Sequence, residues 1–180
     1  MRIEIPKYIE TGSWECDYSL ERLVNAIEGW SINPSYEGEA KLQMNPDFQR
    51  GHVWTEKQQL SYVEALLSGG AKNAMVIYLN NPNWIQHSDR PYKDFVCVDG
   101  LQRYTAIKRF VRGEIKPYGY TWEEYNEGFS FRLSHSIKIN INDLPTRKDV
   151  LTWYLEMNSM GTPHTQDEIF KVKKMLDGVE

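Results

Sequence analysis

Apolar residues follow two different periods along this chain. They recur at helical spacing from residues 19–29, 55–69 and 100–112, and again after Thr146 and Thr165. Shorter apolar or alternating runs typical of strands occupy residues 73–79, 94–99, 129–133 and 136–141, the last two as a hairpin. Helices and strands in this order predict an α+β domain with a small mixed sheet flanked by helices. The order of the strands does not follow from the pattern.

Capping residues sharpen the helix boundaries. Thr55 and Gln58 have the spacing of a capping box, in which each side chain bonds the backbone of the other residue. Thr146 and Asp149 repeat that spacing before a later helix, and Gly69 stops the earlier one. The polar, turn-rich segment at residues 31–47 is predicted to be a long loop.

Composition narrows the class of protein. The 180 residues are 41% hydrophobic, enough for a buried core, and we expect one domain over residues 1–180. A net charge of −4 opposes loose attachment to polyanions, so DNA would need a local basic patch. Without a secretory or membrane-spanning apolar run, we expect a cytoplasmic protein with no membrane partner. The cysteines, Cys16 and Cys97, lack zinc spacing and are expected to be buried thiols.

The segment "VCVDGLQRYTAIKRF", residues 96–110, carries candidate chemistry where a strand passes into a helix. Unpaired N–H groups at a helix start attract anions, so Gly100 is suited to cradle a phosphate. Arg103 lies in the first turn and can donate paired hydrogen bonds to it. Asp99 does not fit a plain anion cradle unless a cation intervenes or the acid is a base. The competing interpretation is that Asp99 caps the helix and that Arg103 pairs with it or with a neighbouring carboxylate.

A second turn carries similar residues. "DFQRGHVW", residues 47–54, places Gln49, Arg50 and His52 just before a helix start. Two arginine-bearing turns can converge on one anion. For His52 we expect a structural or surface role rather than that of an extra base.

The chain resembles a known family at three segments in order. They are "PDFQRGHVWTEKQQLSYVEALLSG", "VCVDGLQRYTAIKRFVRGE" and "EMNSMGTPHTQDEI", which lie within residues 45–170. These are similar to the signatures of the GmrSD-type N-terminal domain, also called domain of unknown function 262, of the ParB/sulfiredoxin-like nuclease superfamily. The resemblance implies a ParB/sulfiredoxin-like fold and a link to DNA restriction and modification in phage–host conflict.

The resemblance also implies a nucleotide site, with a nucleoside triphosphate and Mg²⁺ as cofactors. The implied catalytic residues are Asp99, Gln102 and Arg103, with Asp99 as the metal ligand. The implied nucleotide- and phosphate-binding residues are Gln49, Arg50, Gly100, Arg103 and Asn158, with Gly161 in the third signature. Implied partners besides the nucleotide are DNA and a separate nuclease or other protein.

Leu101 departs from the family pattern, which has glutamine at that place. If that glutamine positions water or metal, its loss would cost about 2 to 4 kcal/mol of transition-state stabilisation. Two alternatives to a nucleoside triphosphatase therefore stay open. One is a non-catalytic module that binds DNA or protein after losing hydrolysis, and the other is a DNA-nicking nuclease.

Two further features have structural interpretations that we prefer. Lys108, Arg109, Arg112 and Lys116 form a basic stripe, for which a solvated helix face is favoured over a DNA contact because glutamates follow closely. The aromatic cluster at residues 117–131 could stack nucleic-acid bases. We instead expect it to be a packed loop and hairpin.

Overall fold

The computed structural model describes residues 7–33, 40–71, 74–85, 90–128, 136–159 and 166–178. The strands are β1 (Trp14–Ser19), β2 (Val76–Asn80), β3 (Val96–Asp99) and β4 (Ser136–Asn142). The helices are α1 (Leu20–Ile32), α2 (Glu56–Leu67), α3 (Leu101–Val111), α4 (Trp122–Gly128), α5 (Arg147–Ser159) and α6 (Gln166–Asp177), with a 3₁₀ turn at Pro117–Gly119.

The four strands form one mixed sheet in the order β1-β4-β2-β3. Strand β4 is antiparallel to β1 and parallel to β2, and β2 is antiparallel to β3. This confirms the α+β class and the small mixed sheet flanked by helices. The ParB/sulfiredoxin-like assignment and the extent of the domain stay predictions. No helix within the described ranges is long and apolar enough to cross a bilayer.

The two faces of the sheet carry separate cores. Ile137, Ile139 and Ile141 of β4 point to one face and are fully buried there with residues of α1, α2 and α3. Val96 and Val98 of β3 point to the other face and pack with residues of α5 and α6. Alternate side chains of a strand face opposite sides, so β3 joins both cores. Each fully buried aliphatic side chain contributes about 1.5 to 3 kcal/mol.

The capping predictions for α2 and α5 are confirmed. Thr55 Oγ1 accepts from Gln58 N at 3.4 Å, and Gln58 Oε1 accepts from Thr55 N at 2.9 Å. At α5, Thr146 Oγ1 accepts from Asp149 N at 3.1 Å. These side chains satisfy backbone donors that a helix start leaves without partners.

Strand β1 was not predicted. Its sequence "WECDYS" has no run of apolar residues, yet it pairs in register with β4, with Cys16 opposite Ile139. Because β1 is at the sheet edge, its side chains are little covered, and the prediction that Cys16 is buried is wrong. Cys97 is buried as predicted. The hairpin partner expected at residues 129–133 lies outside the described residues.

At residues 117–128 the structure has a 3₁₀ turn and a helix where a packed loop was predicted, although Trp122 and Tyr125 do pack against the core. The 3₁₀ turn is followed by α4, which begins with reciprocal capping between Thr121 and Glu124. Glu124 N donates to Thr121 Oγ1 at 3.2 Å, and Thr121 N donates to Glu124 Oε2 at 2.8 Å. The capping pair, which the prediction did not take into account, favours a helix here. Residues 129–131 lie outside the described ranges.

Candidate functional site

Gly100 links β3 to α3 in a backbone conformation that suits glycine. It is the N-cap of α3 with φ at +124°. A Cβ atom there would lie 2.9 Å from Ile77 Cγ1 and 3.1 Å from Ile77 Cα on the neighbouring strand. No larger residue fits without moving β2. Close packing against β2 therefore requires glycine in this turn, whether or not the N–H groups of the turn also bind an anion.

Asp99 and Arg103 form an ion pair across the first turn of α3. Arg103 Nη2 donates to Asp99 Oδ2, and the two side chains are 16% and 39% exposed for Arg103 and Asp99, respectively. The pairing that the structural interpretation predicted is therefore present. Its other half is wrong, because the N-cap is Gly100 and no side chain caps this helix start.

The guanidinium of Arg103 keeps a donor to spare. Burial disfavours its charge, but the adjacent Asp99 carboxylate outweighs this and raises the pKa of Arg103 above its usual value. Its Nε is buried and has no hydrogen-bond partner among the described residues. An unsatisfied buried donor on a charged group is costly. The pair thus combines a largely buried cation, whose Nε is enclosed by the protein, with a partly exposed carboxylate.

Gln49 braces the end of β3 from the loop before α2. Its Nε2 donates to Cys97 O at 2.7 Å and to Val98 O at 3.2 Å. The preceding Phe48 is buried against Tyr154 of α5, with ring centroids 5.2 Å apart. The amide nitrogen of Gln49, which the resemblance placed in the nucleotide site, is bound to the backbone that carries Asp99.

Gln102 braces the same loop from the opposite side. Its Oε1 accepts from Val53 N and Trp54 N, both at 3.1 Å, and its Nε2 donates to Gly51 O at 2.7 Å. One side chain therefore satisfies three backbone groups of the loop. This holds the loop that contains Arg50 against the first turn of α3. The two arginine-bearing turns are joined through Gln102.

A buried glutamine that the sequence analysis missed extends this network. Gln59 is 3% exposed, and its Nε2 lies 2.8 Å from His52 Nε2 and donates to Trp54 O at 3.0 Å. Arg109 Nη1 donates to Gln59 Oε1 at 2.7 Å. The signal was present, since Gln59 falls on the apolar stripe of α2 with Tyr62, Val63 and Leu66. His52, which is exposed, contacts this network through Gln59, and its structural or surface role stays a prediction.

Two more buried groups lie under the turn. Burial raises the pKa of the Cys97 thiol to about 12. It also raises the pKa of Tyr62 to about 12, and the Tyr62 hydroxyl donates to Ala74 O at 2.9 Å. Both groups sense the Asp99–Arg103 charges. The ion pair therefore lies next to buried, weakly polar side chains, where the local dielectric constant is low.

Asn158 is on α5, which packs on the face of the sheet opposite to α1, α2 and α3. Its Nδ2 donates to Tyr154 O one turn back at 2.7 Å. Its place beside the nucleotide stays a prediction, and Gly161 lies outside the described residues. Leu101, the departure from the family pattern, is half-buried in the first turn of α3.

The part of the chain that the structure describes gathers no group of three or more His, Cys, Asp or Glu side chains able to hold a metal ion. The Asp99 carboxylate already accepts from Arg103. A protein-only cage for Mg²⁺ does not fit these residues. A magnesium ion that takes most ligands from phosphate oxygens and water does fit, because Mg²⁺ commonly binds through one or two carboxylates plus phosphates.

The basic stripe is engaged with glutamates. Glu28 pairs with Lys108 at 3.0 Å and with Arg112 at 2.6 Å. Arg109 pairs with Glu56 at 2.9 Å and with Glu114 at 3.1 Å. This agrees with the preferred interpretation of a solvated, charge-balanced helix face.

Comparison with known proteins gives one family match. The model of a family described as "GmrSD restriction endonuclease, N-terminal domain" matches residues 35–135, more than half of the chain. No curated protein and no solved structure matches. The matched range includes the loop around Gln49 and the turn at Gly100, and it ends before the third segment of the resemblance.

Proposed function

Because this chain belongs to the GmrSD restriction endonuclease N-terminal domain family, we propose that it binds a nucleoside triphosphate at the start of α3 and hydrolyses it in DNA restriction against phage. The observation that carries the proposal is the Asp99–Arg103 ion pair in the turn that enters α3. It sets a cation and a carboxylate side by side at a helix N-terminus.

Phosphate binding rests on Arg103 and the helix start. The guanidinium has a buried Nε without a partner among the described residues, and the helix N-terminus adds partial positive charge. The Gln102 brace holds the segment next to Arg50 at the same turn. Two arginines and a helix start can together neutralise a triphosphate. Arg103 would exchange part of its bond to Asp99 for the phosphate oxygens.

Asp99 adds a carboxylate that can bind a metal ion or accept a proton, which phosphate binding alone does not require. When bound, Mg²⁺ would neutralise phosphate charge, and Asp99 would hold it as the protein's carboxylate ligand. Alternatively, without the metal, the same carboxylate is placed to accept a proton from water. Its 39% exposure leaves one side open to either.

For DNA, the partner that the family description suggests, the stripe on α3 is a poor contact. Lys108, Arg109 and Arg112 are already paired with glutamates, so a phosphate would have to displace these carboxylates. We therefore expect DNA to be engaged elsewhere, or through a separate nuclease partner.

Calorimetric titration and phosphate release test the proposal with the four ribonucleoside triphosphates and Mg²⁺. Arg103→Lys keeps the charge but loses the planar fork, so we expect at least tenfold weaker nucleotide binding. Asp99→Asn should bind the nucleotide within a few-fold and lose turnover by about 100-fold or more. Arg22→Lys, the same change on the exposed surface of α1, should alter neither. If no triphosphate binds to the wild type, the proposal is wrong.

A binding module without hydrolysis is the second candidate. Leu101 stands where the family pattern has glutamine, and the amides of Gln49 and Gln102 bond the backbone. Under this alternative, wild type and Asp99→Asn release phosphate at the same background rate while both bind the nucleotide. Leu101→Gln separates the candidates further, since a gain of turnover in that variant alone would identify a retained site with lost hydrolysis.

A further inference from the structure

A cavity of about 350 Å³ lies at the C-terminal ends of α2 and α3. Its lining includes Phe110 together with Tyr118, Tyr120 and Tyr125. Phe110 is ten residues beyond Gly100, about 15 Å along α3 at the helical rise. The cavity is therefore separate from the turn that carries Asp99 and Arg103, and its volume is that of a small-molecule site.

The inner wall of this aromatic cavity is fixed by ring packing. Phe110 is fully buried and meets Trp122 edge to face, with centroids 5.4 Å apart. Tyr125 meets Phe110 at 5.9 Å and stacks on Trp122 at 6.1 Å. By contrast, Tyr118 and Tyr120 are each 58% exposed. Tyr118 and Tyr120 therefore contribute little to the core. They line a cavity whose inner wall is already fixed by the packing of the buried rings.

Tyr118 adopts a backbone conformation that favours glycine. Its φ of +52° is the only positive value at a non-glycine position within the described residues. Glu64 holds it there, because its Oε1 accepts from Tyr118 N at 3.0 Å and its backbone oxygen accepts from the Tyr118 hydroxyl at 3.2 Å. A positive φ is disfavoured in any residue that has a Cβ atom, and backbone outliers of this kind concentrate at ligand sites.

The charge around the cavity selects the ligand class. Residues 117–128, which form the 3₁₀ turn and α4, contain three glutamates and no lysine or arginine, and Glu64 contacts the wall at Tyr118. This surplus of negative charge opposes a phosphate or a nucleic acid. Aromatic ring faces also carry negative potential and attract cations, most strongly those with a large, weakly hydrated surface.

We propose that the aromatic cavity binds a free small organic cation, an alkylated ammonium group on a short apolar body. The rings of Tyr118, Tyr120 and Tyr125 contact the alkyl groups, and Glu64, which bonds Tyr118, supplies a negative charge beside them. The site is independent of nucleotide binding at the other end of α3.

The test uses choline and its neutral isostere 3,3-dimethylbutanol, titrated into the whole chain by NMR. The alcohol has the same shape without the charge. We expect saturable choline binding at least fivefold tighter than that of the alcohol, and weaker binding at high salt. Equal affinity for the two compounds, or no saturable choline binding, would overturn the proposal.

Variants place the binding in the cavity. Tyr118→Gly suits the backbone and removes the ring, so we expect at least a fivefold loss of choline affinity without a lower Tm. Tyr120→Ala should lose affinity similarly, whereas Tyr120→Phe keeps the ring and should retain it. Tyr8→Ala, at a tyrosine that is 62% exposed and outside the cavity, should bind as the wild type does. Unchanged affinity in both ring-removing variants, or a trimethyllysine peptide that binds more than tenfold tighter than choline, would contradict a free cation in this cavity.

Discussion

The two ends of α3 use their side chains in opposite ways. At the N-terminal end, Gln49 and Gln102 bond the backbone and Arg103 bonds Asp99. At the C-terminal end, Tyr118 and Tyr120 line a cavity, and each residue is more than half exposed. The first end is a network that holds two turns together. The second is a cavity whose inner wall is fixed by buried rings, so its exposed tyrosine rings add little stability.

This difference affects how substitutions are interpreted. At the N-terminal end, the residues with candidate chemistry also satisfy buried backbone groups, so a loss of activity can follow from a loss of structure. At the C-terminal end, a ring can be removed with little change in the fold. Nucleotide assays therefore need a stability measurement beside each variant, and the choline assay depends on it less.

Gly100→Ala should produce the largest effect, because the new Cβ meets Ile77 and the φ of +124° is strained for alanine. We expect a loss of about 3 kcal/mol or more in the free energy of unfolding. Urea denaturation measures it. Gly29→Ala is the matched control, since its Cβ meets nothing within 4 Å inside α1, and it should be neutral or stabilising. Equal stabilities of the two variants would show that the turn does not depend on this packing.

Alkaline pH should have the second-largest effect, a loss of folding stability that arises from buried groups near the N-terminal end of α3. Burial raises the pKa values of Cys97, Tyr62 and Tyr104 to about 12. Above about pH 9 to 10 the unfolded chain loses these protons while the folded chain keeps them, so stability is full below that range and falls toward pH 12. The slope should be about 1 kcal/mol per pH unit for each group.

Urea denaturation at pH 8, 9, 10 and 11 measures this slope. Cys97→Ala should remove the part of the loss that begins near pH 9, and Tyr62→Phe should reduce the part that begins near pH 10. A stability that stays flat to pH 11 in the wild type would contradict the burial of these groups.

Gln102→Ala should have an intermediate effect. It leaves two N–H groups and one carbonyl of the loop without their partner, at a cost of about 2 kcal/mol after partial solvation. Gln43→Ala removes an exposed glutamine and should change stability by less than about 0.5 kcal/mol. Thermal and urea unfolding compare them. If both variants are as stable as the wild type, Gln102 is not a brace, and its predicted catalytic role gains weight.

Tyr118→Gly should have the smallest effect on stability, within about 1 kcal/mol of the wild type, since relief of the left-handed backbone offsets the lost hydroxyl bond. Tyr118→Ala removes the same ring but keeps the strain, so it should be about 1 kcal/mol less stable than the glycine variant. Differential scanning calorimetry compares the pair. The reverse order would mean that the backbone is not strained at this position.

Much of the candidate site was readable from the sequence. The Asp-Gly turn, the capping box at Thr55 and the companion loop at Gln49 are local patterns, in which neighbours in sequence interact through the backbone. Gln59 was missed although it falls on the apolar stripe of α2, because its contacts with His52 and Arg109 depend on the tertiary structure. The braces of Gln49 and Gln102 were missed because each reaches about 50 residues along the chain.

The sequence by itself determined the helices other than α4, the α+β class and the family, since periodicity, capping and motif order are properties of contiguous residues. Only the tertiary structure decided the sheet order, the pairing of β1 with β4 and the exposure of Cys16. It also decided that Gln49 and Gln102 bond backbone groups about 50 residues away, and that three tyrosines meet at one cavity with the ends of α2 and α3. These depend on which distant segments pack together, and that is a sum of many weak contacts that no local pattern records.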